Sequence, residues 1–444
     1  MNYSGNGDAS IDMEGLVKSI KEKLDKLSFP SPECCIYKVP RTLKNINEGA
    51  YTPRTVSIGP LHHGKEGLKD MEEHKLRYFN DFMQRSGKSL VELVMIMEEK
   101  EKEIRACYVE TINLKSEMFL EIILVDAAFI IEVLLRCWFD DLRTPNDRIF
   151  RKPWMIFYIN DDLLLLENQI PFFVLQDLLK MTNIPDPVIL TIQWFVSSLQ
   201  IRELLGPEHI NPSEIKHVLD LLRICLMPKQ KSQPPEEKNP SKVNQFIAFL
   251  VSFIPRQSLQ QTERKFDIPS ATELHEAGVK FEVSSSKNLF DIKFRGNVLE
   301  IPRTEILDWT ESSLRNIIAY EQCHCTVRYF ADYTAIMGFL IKTSKDVELL
   351  VKAKIIENCL GNNSDVSNLF NGLGKEVVIS KEYYFTKLHE ELNDYCKIRS
   401  HMWKATLKQN YCNTPWRVLS IIVAVILLGL TFIQSLCSLV SCNK

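Results

Sequence analysis

The sequence predicts a mainly α-helical protein: a multi-helix globular body with a small antiparallel β meander and one C-terminal transmembrane helix. Three observations predict it. Glycine is scarce, 16 of 444 residues, about half the usual ~7 %, so tight β-turns and phosphate-cradling loops are few. Apolar residues recur at helical spacing in one segment after another. The run VLSIIVAVILLGLTFIQSLCSLV, residues 418–440, carries no charge. At the ~1.5 Å rise of a helix it covers roughly the ~30 Å hydrocarbon core of a bilayer.

The elements follow in order. Ile11, Leu16, Ile20, Leu24 and Leu27 share one face of an amphipathic helix that Pro30 and Pro32 stop. Short extended pieces are expected at 36–39 and 55–58. A helix begins near Glu66, with Leu68, Met71, Leu76, Phe79 and Phe82 inward. Residues 116–139 read as an apolar helix around Asp126 and Phe129, and further helices follow at about 187–205 and 213–226. The stretch PKQKSQPPEEKNPSK, residues 228–242, is rich in proline and charge and reads as a solvated loop. A weakly helical run leads from it to Ile254.

Period-two alternation then appears, Phe290, Ile292 and Phe294 against Asp291 and Lys293. With a turn at Arg295-Gly296-Asn297 it predicts an antiparallel meander over 279–302. Helices resume at 312–323, 327–341 and 346–361, the last closed by Gly361, and again from about 381 to 411. The domain organisation is a tail and amphipathic helix over 1–30, one helical domain over 31–411 with the proline-rich loop inside it, and a membrane anchor over 412–444; a domain boundary at 228–242 is the alternative.

Several multi-residue motifs occur along the way. Ile36 stands three residues before Val39-Pro40. Residues 51–64 read YTPRTVSIGPLHHG and 71–78 read MEEHKLRY. Residues 161–179 read DDLLLLENQIPFFVLQDLL and 312–323 read SSLRNIIAYEQC. In this order they resemble the plant-specific domain-of-unknown-function 247 family, also called uncharacterised protein family 0481. The resemblance covers roughly residues 36–436. Members usually carry Asp-Gly-Cys-Phe where this chain has Asp126-Ala127-Ala128-Phe129, which argues against a reactive cysteine there. The resemblance implies a plant protein, and some members are associated with self-incompatibility recognition in grasses.

Composition narrows the function. The 54 basic and 57 acidic residues nearly cancel, unlike the basic excess of a nucleic-acid-binding body. The 12 cysteines are scattered, without the spacing of a disulfide scaffold. The N-terminus lacks a basic patch followed by an apolar stretch, so no secretory signal is expected. Val418, Ile421, Val425, Leu428, Phe432, Leu436 and Val440 would line the anchor, with Trp403, Tyr411 and Trp416 at the headgroups. Lys397, Arg399, Lys404, Lys408 and Arg417 precede it and only Lys444 follows. That asymmetry places the body in the cytosol and leaves open which membrane, plasma membrane or endomembrane, holds it. The expected partners are the lipid bilayer, an unknown protein and a second copy of the chain, the last hinted at by the small pair Ser420 and Ala424.

Three clusters could carry chemistry. His62-His63 with Glu72, Glu73 and His74 is metal-like, but has no HExxH spacing; capping and helix-surface roles fit better. Cys323-His324-Cys325 offers too few ligands for a soft metal, and neighbours on a helix point apart. Asp161, Asp162 and Glu167 could be paired carboxylates. More simply, Asp161 or Asp162 caps a helix while Glu167-Asn168-Gln169 bonds backbone around Pro171. No nucleophile elbow, P-loop or dinucleotide fingerprint occurs, and no cofactor is expected. The sequence reading is therefore a non-enzymatic interaction or recognition module. The alternative is a membrane-tethered enzyme whose site joins the His62-His63 loop to Glu167–Gln169, recognisable by a closed polar pocket between them.

Overall fold

The computed structural model describes residues 12–25, 31–145, 147–180, 186–198, 210–228, 268–286, 288–380, 382–397, 423–424 and 426–434. The first half of the body holds α1 (Met13–Asp25), the single turn α2 (Arg41–Lys44), α3 (Glu72–Ser86), α4 (Leu90–Ala106), α5 (Ser116–Trp138), α6 (Pro153–Asp162), α7 (Phe172–Lys180), α8 (Pro187–Ser198) and α9 (Val218–Leu226). The second half holds α10 (Ala271–Glu276), α11 (Thr310–His324), α12 (Tyr329–Leu340), α13 (Ser344–Lys352), α14 (Asn363–Leu373) and α15 (Thr386–Lys397).

Helix α5 is the axle of the body. It is apolar on every side and almost wholly buried, as a central helix must be, and α3, α4, α7 and α8 pack against it. Its polar residues are paired: Arg136 meets Glu132, Asp81 and Asp147 and stacks over Tyr78. Helix α11 joins the halves, touching α9 on one side and α12 and α14 on the other. One apolar core runs from Cys35 to Leu392.

The expected transmembrane helix is not supported. Among the described residues, no helix is long and apolar enough to cross a membrane. The described helical stretch 426–434 would span about 14 Å at the rise of an α-helix, half of what a bilayer core requires. Leu428 and Phe432 are exposed on it; Val418, Ile421, Val425, Leu436 and Val440 lie outside the described residues, as do nearly all of the proline-rich segment and the run to Ile254.

The antiparallel meander is also corrected. Strands β1 (Lys280–Val283), β2 (Lys293–Arg295) and β3 (Val298–Ile301) form a sheet in the order β1-β3-β2. β2 and β3 are the expected hairpin, turning at Gly296, but β1 runs parallel to β3. The cause lies in the connection before β2. Phe290 is buried among the rings of Tyr329, Phe330, Tyr333 and Tyr384, so the chain dives into the core there and returns with β3 in the middle.

Two helix readings shift. The segment near Glu66 is a 3₁₀ turn to Met71, with the α-helix starting at Glu72. Leu76 is exposed, because α3 buries Lys75, Tyr78, Phe79 and Phe82 instead. The helix expected over 346–361 ends at Lys352. Lys354 takes a left-handed conformation (φ 60°) and the Ile355 amide donates back to Leu350, a helix-ending turn. The β-branched Ile355 and Ile356 then lead into β5 (Ile356–Asn358), which pairs in parallel with β4 (Thr304–Ile306).

Candidate functional site

Residues 54–59 run through the interior without a neighbouring strand. Val56, Ser57 and Ile58 are buried, and buried backbone amides and carbonyls need partners. Here side chains supply them. Asp162, at the end of α6, accepts the amides of Arg54 (2.9 Å), Thr55 (2.7 Å) and Val56 (2.8 Å). Asn168 accepts from Ile58 N (2.7 Å) and donates to the Val56 carbonyl (3.1 Å). Lys75 Nζ donates to the Ser57 carbonyl (2.9 Å), and Asp126 accepts from Gly59 N (2.8 Å). Burial pushes the Asp162 pKa up to about 6, against its three amide donors. Burial alone would lower the Lys75 pKa; Asp126 and Glu72 outweigh it and hold the ammonium above its ordinary range.

Gly59 marks the tightest crossing. Its φ is +70°, and a Cβ there would meet the Gln169 carbonyl oxygen at 2.6 Å and Tyr108 Oη at 3.0 Å. Tyr108 Oη donates to that same carbonyl (3.1 Å). Gln169 fixes the turn after α6 by donating to the carbonyls of Leu163 and Leu165, and reaches α9 by accepting from Leu219 N. Asn316 of α11 accepts from Leu166 N (2.8 Å) and donates to the Ala50 carbonyl (2.8 Å).

Glu167 and His62 come together. Glu167 accepts from Val39 N (2.9 Å) and from Lys44 Nζ (2.9 Å), and His62 Nε2 lies 3.2 Å from it. The His62 contact is close but poorly aligned, and neither ring nitrogen makes a well-formed hydrogen bond among the described residues. Burial alone would raise the Glu167 pKa; His62, Lys44 and the Val39 amide outweigh it and hold the carboxyl at about 2. Burial lowers the His62 pKa. The pairing required by the enzyme alternative is therefore present, but both side chains are buried and the carboxylate is occupied by protein donors. Chemically this is a brace, ionised at neutral pH, between the VP element and the ENQ segment.

The other candidates separate. Glu72 pairs with Lys75 and Glu73 with Arg77, while His74 is buried, its pKa lowered by burial and then by Arg148. Asp161 and Asp162 end a helix rather than start one; Asp161 pairs with Arg54. His324 stacks on Tyr320 and meets Tyr37 Oη through Nδ1 at 2.9 Å, and burial raises the thiols of Cys323 and Cys325 to about 11. Among the described residues no group of three or more His, Cys, Asp or Glu is arranged to hold a metal ion. His217, which the sequence reading missed, caps α9: Nδ1 accepts from Asp220 N, leaving Nε2–H to meet the Cys35 carbonyl.

The segments that cross here all lie within the span of one family model. A model described as a plant protein of unknown function, DUF247, matches residues 36–430. The chain belongs to the DUF247 family. Among its relatives is the UPF0481 protein At3g47200 of Arabidopsis thaliana, 30 % identical over 419 residues, covering 92 % of this chain and 87 % of the relative. Another is the putative UPF0481 protein At3g02645 of the same plant, 27 % identical over 499 residues, covering 94 % of this chain and 92 % of the relative. No solved structure matches. In this DUF247 chain Lys75, Asp162, Asn168 and Asn316, all within the sequence motifs quoted above, brace buried backbone.

The outer face of α6 has a different character. Trp154, Phe157 and Tyr158 are 51 %, 57 % and 40 % exposed, at positions i, i+3 and i+4 of one helix. Trp154 and Tyr158 meet edge to face, Arg54 lies over Tyr158 and Lys152 over Trp154. Arg148 and Arg151 are exposed just before the helix. The sequence signal was available in RIFRKPWMIFY: aromatic spacing with cations ahead of it.

Proposed function

We propose that this DUF247 protein is a non-catalytic protein-interaction module that docks partners on the outer face of α6. The observation that carries the reading is the exposed Trp154–Phe157–Tyr158 face. Aromatic side chains held rigidly on a helix are the residues that dominate interface energetics, and they are costly to leave in water without use. The helix is held from below by Asp162, whose carboxylate is tied to three amides, so the face is preorganised. Arg148, Arg151 and Lys152 favour an acidic partner. Buried free thiols at Cys34, Cys35, Cys107 and Cys225 favour a reducing compartment such as the cytosol.

The test compares the wild-type chain with Trp154→Ala/Phe157→Ala and with Arg151→Glu/Lys152→Glu as baits in plant extracts. Partners recovered by the wild type should be lost by both variants, at unchanged thermal stability and with recovery that weakens at high salt. Equal recovery by the folded variants would refute the assignment of this face. Binding of the purified chain to anionic vesicles, lost in the same variants, would assign the face to a lipid surface instead.

A further inference from the structure

A second site lies away from α6. A cavity of about 460 Å³ opens between α9, α11, β4 and the segment after β1, within the size range of small-molecule pockets. Leu226, Leu289, Leu307, Trp309, Leu314 and Ile317 give it an apolar body. Its polar groups are nearly all hydroxyls: Ser284, Ser285, Thr304, Thr310, Ser313 and Tyr333. Ser284 Oγ accepts from Ser286 N and Thr310 Oγ1 accepts from Leu307 N (2.9 Å). A hydroxyl that accepts in this way keeps its proton to donate.

The cavity also has a clear charge character. Arg303 lies on its wall, but its guanidinium is already bound to the carboxylate of Glu357. Glu305 lies on the same wall. Among the described residues, a ligand's carboxylate would find no unpaired cation on these walls, and an ammonium would find hydroxyls and one acid. Hydroxyl donors converging on an apolar body match a molecule with ether, carbonyl or hydroxyl oxygens and no charge.

We propose that this cavity binds a neutral, largely apolar small molecule bearing one or a few oxygen acceptors, with its apolar body against Trp309, Leu314 and Ile317 and its oxygen among the hydroxyls of Ser284, Thr310 and Ser313. The site is independent of the α6 face, so either assignment can fail alone.

Four fluorescent probes that share one ring system test it: 9-anthracenemethanol, anthracene-9-carboxylate, 9-(aminomethyl)anthracene and 9-methylanthracene, titrated at pH 7 into the full chain. The neutral alcohol should bind saturably and at least about tenfold tighter than either charged probe. Leu314→Trp, which fills the cavity, should abolish binding while circular dichroism and the melting temperature stay native; Leu289→Trp serves if the first variant does not fold. Ser313→Ala should weaken the alcohol several-fold and leave 9-methylanthracene unaffected. Non-saturable uptake, equal binding by a folded filled variant, or tighter binding of the carboxylate would overturn the proposal. So would identical affinities in the wild type and Ser313→Ala.

Discussion

Glu167 shows how much one side chain can hold. Its carboxyl falls from an ordinary 4.5 to about 2 in the folded protein, a difference equivalent to roughly 3 kcal/mol. Because the folded pKa is the lower one, that contribution is fully present above pH 4.5 and is lost as pH falls through 2. Glu167→Gln should cost about 2–3 kcal/mol at pH 7, since the amide also turns a donor towards Lys44 and His62. Urea unfolding at several pH values should show the gap to wild type shrinking between pH 4.5 and 2. A constant gap would mean that the charge is not what matters. Gly59 makes the complementary case. Gly59→Ala meets both a positive φ and a carbonyl at 2.6 Å, so we expect a loss of about 3 kcal/mol or more. Tyr108→Phe would lose only the hydrogen bond to Gln169, about 1 kcal/mol.

At the scale of elements, the α6–α7 junction is the informative piece. Leu163, Leu164, Leu165 and Leu166 are all buried, yet they form a turn rather than a helix, closed by Gln169 and anchored by Asn316. Leu165→Asp should place an unpaired carboxylate in that core and cost about 4 kcal/mol or more, read as insolubility or loss of a cooperative melt. Near-native stability would show that the turn can expel the side chain. This junction also marks what the sequence discloses. Leucine burial and backbone bonding by Glu167–Gln169 were legible, because a run of leucines beside uncharged amides has few other uses. That Asp162 would reach residues 54–56 was not, since a short acidic side chain beside a helix reads locally as a cap. The parallel placement of β1 was hidden for a similar reason: alternation reports which face is buried, not which strand lies beside which. The terminal run was over-read, because apolar length alone stood for a spanning helix.

At the scale of the molecule, the two halves on either side of the proline-rich segment are locked by specific bonds. Asn316 reaches Leu166 and Ala50, Asn47 reaches Glu311, Tyr37 meets His324, and Asn288 donates to the Met227 carbonyl. If 31–411 is one domain, a chain cut within 228–242 and expressed as two pieces should reassemble. The pieces should co-purify and melt together, and Asn316→Ala should weaken their association by about tenfold or more, since it strands two buried backbone groups. Two independently folded pieces with no affinity would instead make that segment a domain boundary.

The path of residues 54–59, a stretch without a paired strand whose amides end on Asp162, Asn168 and Asp126, has a kinetic consequence. Solvent deuterium can reach the buried amides of Val56, Ile58 and Gly59 only if α6, the ENQ turn and α5 part from one another. Val56, Ile58 and Gly59 should therefore exchange as slowly as the middle of α5, on the timescale of global opening. The exposed amides of the turn at Gly296, by contrast, should exchange quickly. In an exchange map the slow core of the protein would include a segment that secondary structure alone would class as loop. Rapid exchange at Val56 and Ile58 would show that the side-chain braces open independently of the helices that carry them.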